Sequence, residues 1–151
     1  MEILKHPDVF LKQQSTEVKL PLTDADLKLI KEMKEIMYTN DGIGLAGIQV
    51  GHQKRMAIID TSRSQENCFA IINPIVISAS NEHMQITEGC LSTPNKVGYP
   101  RRNKWIKVEY SCEHGKRQCK TFYDLKAECI QHEIDHMNGK LCIDYGQDNI
   151  K

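Results

Sequence analysis

Apolar residues recur at three- and four-residue steps in two stretches of this chain, and at two-residue steps in several others. Leu27, Ile30, Met33 and Met37 predict an amphipathic helix over 24–39, capped by Thr23 and Asp24. Asn40, Asp41, Gly42 and Gly44 then break it and open a loop before Leu45 to Val50. Short β-like segments follow at Arg55 to Asp60, Cys68 to Ile77 and Met84 to Thr87, separated by Asn, Ser and Pro breaks. From Trp105 to Cys112, Ile106, Val108, Tyr110 and Cys112 alternate with Lys107, Glu109 and Ser111, the pattern of a half-buried strand. Gly115 is expected to turn that strand back into Lys116 to Tyr123. Asp124 can cap a second helix reaching about residue 138, with Leu125, Cys129, Ile130, Ile134 and Met137 apolar and Gly139 as its stop. Strands flanked by two separate helices predict an α+β fold: mainly antiparallel β-sheets around a central C-terminal helix, with one N-terminal amphipathic helix. With no repeat, low-complexity tract or linker, 1–151 is expected to be a single catalytic domain.

Composition narrows the function. Lys plus Arg equal Asp plus Glu at 20 each, so no basic field collects phosphates and nucleic-acid specificity is not expected. The apolar run Ala70 to Ile77 is interrupted by Asn73 and Pro74, far short of the roughly 18 residues of a membrane span. Met1 to Val9 lacks the charged start and long apolar run of a secretory signal, so a cytoplasmic protein is expected. The six cysteines are then read as thiols or metal ligands rather than disulfides.

The second helix carries the sequence His132-Glu133-Ile134-Asp135-His136. At about 3.6 residues per turn, histidines four apart project from one face and can grip one cation. Glu133 points near, but not onto, that cation, where it can exchange protons with a water. Taken alone, the five-residue pattern is as compatible with chance as with a ligand pair. A catalytic site of this kind takes three protein ligands, so a third must come from elsewhere; cysteine, glutamate or another histidine would qualify. The zinc-protease pattern with a third histidine six residues on is absent, since Cys142 stands there. Cys90, in Glu88-Gly89-Cys90-Leu91-Ser92, is the better candidate, though spacing does not establish the contact.

Three blocks occur in order: Gly42-Ile43-Gly44-Leu45-Ala46-Gly47-Ile48-Gln49, Glu88-Gly89-Cys90-Leu91-Ser92 and Gln131-His132-Glu133-Ile134-Asp135-His136. Together with Pro94 and Gly139-Lys140-Leu141, they resemble the motifs of the peptide deformylase family over nearly the whole chain. The resemblance implies hydrolysis of the N-formyl group from the formyl-methionine of nascent polypeptides, releasing formate, as part of N-terminal methionine processing. It implies a divalent metal on Cys90, His132 and His136, with Glu133 as acid/base. It further implies Gln49 and the Leu91 backbone N–H as donors to the substrate oxygen, and Ile43, Gly44, Gly89, Leu125 and Glu128 as substrate-binding residues. Fe(II) is implied as the physiological ion, with Zn(II), Ni(II) or Co(II) substituting. A cation there brings the pKa of water from near 16 toward about 7, so that metal-bound hydroxide attacks the formyl carbon.

Glu88 and Gln131 are candidates for orienting the ligand imidazoles, and Asp135 for pairing with Arg101 or Arg102, against a solvated helix carboxylate. Cys68, Cys112, Cys119, Cys129 and Cys142 read as small core or sheet residues. Two positions depart from the family pattern. Gly47 replaces an alanine, which is expected to loosen the backbone ahead of Gln49, and Glu128 stands where many members carry an apolar pocket residue. Few residues follow His136 in this sequence, so the long C-terminal helix of many bacterial members is not expected here and the chain resembles a short, phage-like form. The expected partners are the formyl-methionyl peptide and the ribosome surface; the expected state is a monomer, with no membrane. The competing readings are a zinc peptidase or amidase of other specificity, and a non-catalytic metal-bearing binding domain. Blocked peptides without a formyl group discriminate the first, and inactivity at full metal occupancy the second.

Overall fold

The computed structural model describes residues 1–150. Helix α1 (Asp24–Thr39) opens with a capping box: the Thr23 hydroxyl accepts from the Asp26 N–H, and Asp26 accepts from the Thr23 N–H. Its buried stripe is Asp26, Leu29, Ile30, Met33 and Met37, whereas Leu27 is exposed. Leu29, not Leu27, continues the four-residue step through Met33 and Met37.

Strands β1 (Gly44–Ala46), β2 (Met56–Ile59), β3 (Phe69–Ala79), β7 (Trp105–Ser111) and β8 (Arg117–Tyr123) form one sheet in the order β1-β2-β3-β7-β8. Every pairing in it is antiparallel. The turn between β7 and β8 places Gly115 at φ +79°, with its N–H bonded to the Cys112 carbonyl. Two small antiparallel sheets complete the fold, β4 (His83–Gln85) with β6 (Arg101–Asn103) and β5 (Lys96–Gly98) with β9 (Gln147–Asn149). Strands β5, β6 and β9 are three residues each and carry no apolar alternation, so the sequence pattern did not reveal them. The stretch Leu45 to Val50 divides into the end of β1 and a 3-10 turn over Gly47–Val50.

Strand β2 is apolar and buried at all four positions because the sheet is covered on both faces there. Met56 and Ile58 pack with Ala70, Ile72 and Met33 on the α1 side. Ala57 and Ile59 pack with Ile71, Ala127 and Ile130 on the other side, against helix α2 (Asp124–Met137). Helix α2 also touches β6, so it lies where the large sheet and the β4–β6 sheet meet. It starts without a side-chain cap: Asp124 is its first residue at φ +52°, not the cap expected from sequence. It stops at Asn138, followed by Gly139 at φ +76°. Leu125 is an exception to the apolar face assigned to this helix, being 49% exposed. Among the described residues, no helix is long and apolar enough to cross a membrane.

Candidate active site

Two pieces of chain converge on one point. The C-terminal half of α2 carries His132 and His136, whose Nε2 atoms lie 3.0 Å apart. The segment Glu88 to Cys90 is held by a bridge to β5, in which the Glu88 N–H donates to the Gly98 carbonyl (2.9 Å) and Gly98 returns the bond (2.8 Å). That bridge places Cys90 Sγ 3.4 Å from His136 Nε2. A tight turn then follows, the Thr93 N–H bonding the Cys90 carbonyl (3.0 Å) and the Ser92 N–H facing Sγ (3.4 Å).

A tetrahedral cation with bonds of about 2.1 Å to nitrogen and about 2.3 Å to sulfur needs donors spaced by roughly 3.4–3.6 Å. The observed 3.0 and 3.4 Å lie close to that spacing, and the donor set is one that a borderline-soft divalent ion accepts. The three residues therefore fit a metal.

Glu88 is 5% exposed and sits against His132 Nδ1. A carboxylate can only accept, so Nδ1 carries the proton and Nε2 presents its lone pair to the cradle. Glu88 is in turn held by the Arg102 guanidinium, through Nη2 (2.6 Å) and Nε (3.2 Å). Burial alone would raise the Glu88 pKa, but His132 and Arg102 hold it well below the usual carboxylate range. Arg102 also pairs with Asp135 (2.5 Å), so Arg102 rather than Arg101 is that residue's partner. Gln131 serves the scaffold instead: it bonds both the N–H and the carbonyl of Asn103 (2.9 Å each), pinning α2 to β6.

Glu133 is 2% exposed, and its Oε1 has no partner among the described residues. Burial pushes its pKa up to about 7. A carboxyl whose two protonation states are nearly equal in energy at neutral pH suits proton transfer. Gly44 lies directly across from it; a Cβ there would collide with Glu133 Oε2 and come within 2.8 Å of Cys129 Sγ.

Gln49 is 1% exposed and fixed at both ends. Its Oε1 accepts from the Ala46 N–H (2.9 Å), while its Nε2 donates to Ser92 Oγ (3.0 Å) and lies 3.6 Å from Cys90 Sγ. These bonds hold the carboxamide despite Gly47, whose own position is tight: a Cβ there would lie 3.2 Å from the His52 and Lys54 carbonyls. The loosening expected from that glycine is thus offset by packing and side-chain hydrogen bonds.

A cavity of about 370 Å³ opens onto these groups. Ile43, Gly44, Gln49, Gly89, Cys90 and Leu91 line one part of it, and Glu128, His132 and Glu133 of α2 another. Glu128 is half-buried there, and burial together with nearby Glu88 pushes its pKa up to about 7. Leu125 is exposed at the start of α2 and is not among the residues that line this cavity. Of the remaining cysteines, Cys129 and Cys142 are buried beside the site, Cys68 and Cys112 are partly buried, and Cys119 is exposed.

Several residues that build the site were not singled out from sequence. Ser92, fully buried, anchors Gln49. The N-terminal segment ties the same pieces together through Leu4 N–H to the Gln49 carbonyl (2.7 Å) and His6 N–H to the Ser92 carbonyl (2.8 Å). Arg63 lines the cavity from a loop far away in sequence. Ser92 was within a recognised motif, but these pairings carry no periodic signal.

A family model described as Polypeptide deformylase matches residues 1–150. The chain is 44% identical to a peptide deformylase of Rhizobium meliloti over 92% of its own length and 80% of that protein. It superposes with a TM-score of 0.89 on a peptide deformylase from Synechococcus elongatus solved in complex with actinonin, at 35% identity, covering 95% of this chain and 77% of that one. It also superposes on a probable peptide deformylase from Synechococcus phage S-SSM7, with a TM-score of 0.88, 37% identity and coverage of 95% and 98%.

Proposed function

The chain belongs to the peptide deformylase family and is a metal-dependent hydrolase that removes the formyl group from nascent peptides; from that premise we propose how its residues divide the work. Cys90, His132 and His136 hold one divalent cation, Fe(II) in the cell and Zn(II), Ni(II) or Co(II) as substitutes. When bound there, the cation supplies Lewis acidity, drawing the pKa of water from near 16 toward about 7.

The remaining steps belong to the protein. Glu88 keeps the proton on His132 Nδ1, so Nε2 faces the cation. The extended peptide enters along Ile43, Gly44 and Gly89, with Glu128 on the α2 wall. Glu133 takes a proton from the attacking water as the new C–O bond forms at the formyl carbon. The Gln49 carboxamide and the Leu91 N–H donate to the oxygen that becomes negative; loss of one such donor costs about 3 kcal/mol of barrier. Glu133 then returns the proton to the departing nitrogen, the C–N bond breaks, and formate and the free amine leave.

The observation that carries this reading is the meeting of Cys90 Sγ, His132 Nε2 and His136 Nε2 beside a buried carboxyl with a free oxygen. The test is an anaerobic assay of iron-loaded protein on formyl-methionyl peptides, detecting formate and free amine. Glu133→Ala should keep metal and fold but lose about 10²–10⁴-fold in rate, the usual range for removing a general acid/base. Cys90→Ala should lose the metal itself, measured as bound metal per chain. Undiminished turnover by Glu133→Ala, or full metal content in Cys90→Ala, would contradict these assignments.

A further inference from the structure

Arg63 supplies the one Lys or Arg side chain among the residues lining the cavity, where the acids Asp41, Glu88, Glu128 and Glu133 otherwise predominate. Glu88 already has Arg102, whereas Arg63 takes part in none of the ion pairs among the described residues.

Its position is built rather than incidental. Arg63 adopts φ +57°, a left-handed conformation that costs energy for a residue with a side chain. The conformation is enforced by Asp60, which is 1% exposed. Oδ1 of Asp60 accepts from the N–H groups of Ser62 and Arg63 (3.1 Å each) and from the Ser62 hydroxyl (2.6 Å). Its Oδ2 accepts from the Gln65 N–H (3.1 Å) and from the Tyr38 hydroxyl of α1 (2.6 Å). The Asp60 N–H donates to the Ile43 carbonyl (2.8 Å), and Ile43 lines the cavity. The buried carboxylate thus joins the Arg63 loop to helix α1, and the backbone N–H of the same residue ties both to the cavity wall.

We propose that Arg63 is a substrate-binding residue whose guanidinium donates to main-chain carbonyl oxygens of the peptide downstream of formyl-methionine, and that Asp60 is the positioning residue that aims it. A guanidinium presents several N–H donors in a planar fork, which suits successive carbonyls of an extended chain at a partly exposed rim. Recognition of carbonyls is independent of side chain, as an enzyme acting on many different nascent chains requires. The proposal rests on the deformylase reading and deepens it by naming what grips the peptide beyond its first residue.

The experiment measures formate release from formyl-Met-Ala-Ser as the C-terminal amide and as the free acid, by the metal-loaded wild type, Arg63→Ala, Asp60→Asn and the double variant. Arg63→Ala, on an exposed loop, should raise KM about tenfold on both peptides with kcat changed by less than about twofold, as expected for losing charged hydrogen bonds used in binding. Asp60→Asn should raise KM in the same direction, and the double variant should be no worse in KM than Arg63→Ala, because the two act as one unit. Thermal melting checks that Asp60→Asn is folded at the assay temperature. A KM within about twofold of wild type for Arg63→Ala on the amide peptide would overturn the proposal. An effect confined to the free acid would overturn it too, since the arginine would then read a terminal carboxylate. Additive KM defects in the double variant would remove the Asp60 half. Fluorescence anisotropy with labelled versions of the same peptides gives an independent reading: an unchanged Kd for Arg63→Ala overturns the proposal even if no formate is released. Absence of formate from the wild type would instead tell against the deformylase reading.

Discussion

At the scale of single residues, the site is built from side chains whose polar atoms are committed before substrate arrives. Gln49 is bonded at both ends, Glu88 faces His132 on one side and Arg102 on the other, and Glu133 is left with one oxygen free. Fixing these groups in advance avoids reorganisation during reaction. The carboxyl as a whole can sit where it does because Gly44, which faces its other oxygen, Oε2, has no side chain. Gly44→Ala should therefore push Glu133 and Cys129 aside and lower kcat/KM by at least about tenfold, since small displacements of a catalytic group are costly. Circular dichroism should show a folded protein, and metal content should stay near one per chain. Wild-type kcat/KM in that variant would show that the carboxyl does not need its present place.

At the scale of elements, α2 is held to its surroundings by charge as well as by apolar packing. Arg102 on β6 is 4% exposed and bridges Glu88 in the Cys90 segment to Asp135 on α2, so one guanidinium connects three pieces of chain. Removing one member of a buried ion network leaves the others charged and unpaired, which destabilises by about 3–5 kcal/mol. Arg102→Ala should lose that much in urea unfolding and should also weaken metal binding, because Glu88 would no longer be held against His132. Competition with a chelator reads the second effect. Stability and metal affinity both equal to wild type would mean that the network is dispensable. The helices themselves were legible from periodicity: α1 spans the expected range, although Leu29 takes the buried position assigned to Leu27. Strand β6 was not legible, since Arg101-Arg102-Asn103 carries no apolar alternation and exists through pairing with β4.

At the scale of the whole molecule, two buried aspartates outside the metal-binding set join separate parts of the fold. Asp26 accepts from Lys54 Nζ (2.5 Å) and from the Thr23 N–H (3.0 Å), while Asp60 joins α1 to the loop after β2. Burial alone would raise both pKa values, but these hydrogen bonds hold them below the ordinary 3.8. The unfolded chain then binds more protons than the folded one just below that value. Stability from these groups is fully present above pH 3.8 and is lost as pH falls through the lower folded values. The urea midpoint should fall steeply as pH drops below about 4, and Asp26→Asn should be less stable near neutrality with a flatter acid limb. An acid limb as steep in Asp26→Asn as in wild type would assign the effect to other groups.

The sequence alone was enough to place the two helices, most of the large sheet, and the histidine pair with its glutamate, because each depends on spacing along one element. Periods of two and of three to four residues are local, and they survive whatever the rest of the chain does. The motif blocks added the family and pointed to Cys90. Tertiary structure decided what lies between elements. It gave His132 to Glu88 rather than Gln131, paired Asp135 with Arg102, anchored Gln49 on Ser92, and brought Arg63 to the cavity. Such pairings join residues tens of positions apart through burial, hydrogen bonding and charge, and those forces act on distances in space that no one-dimensional pattern records.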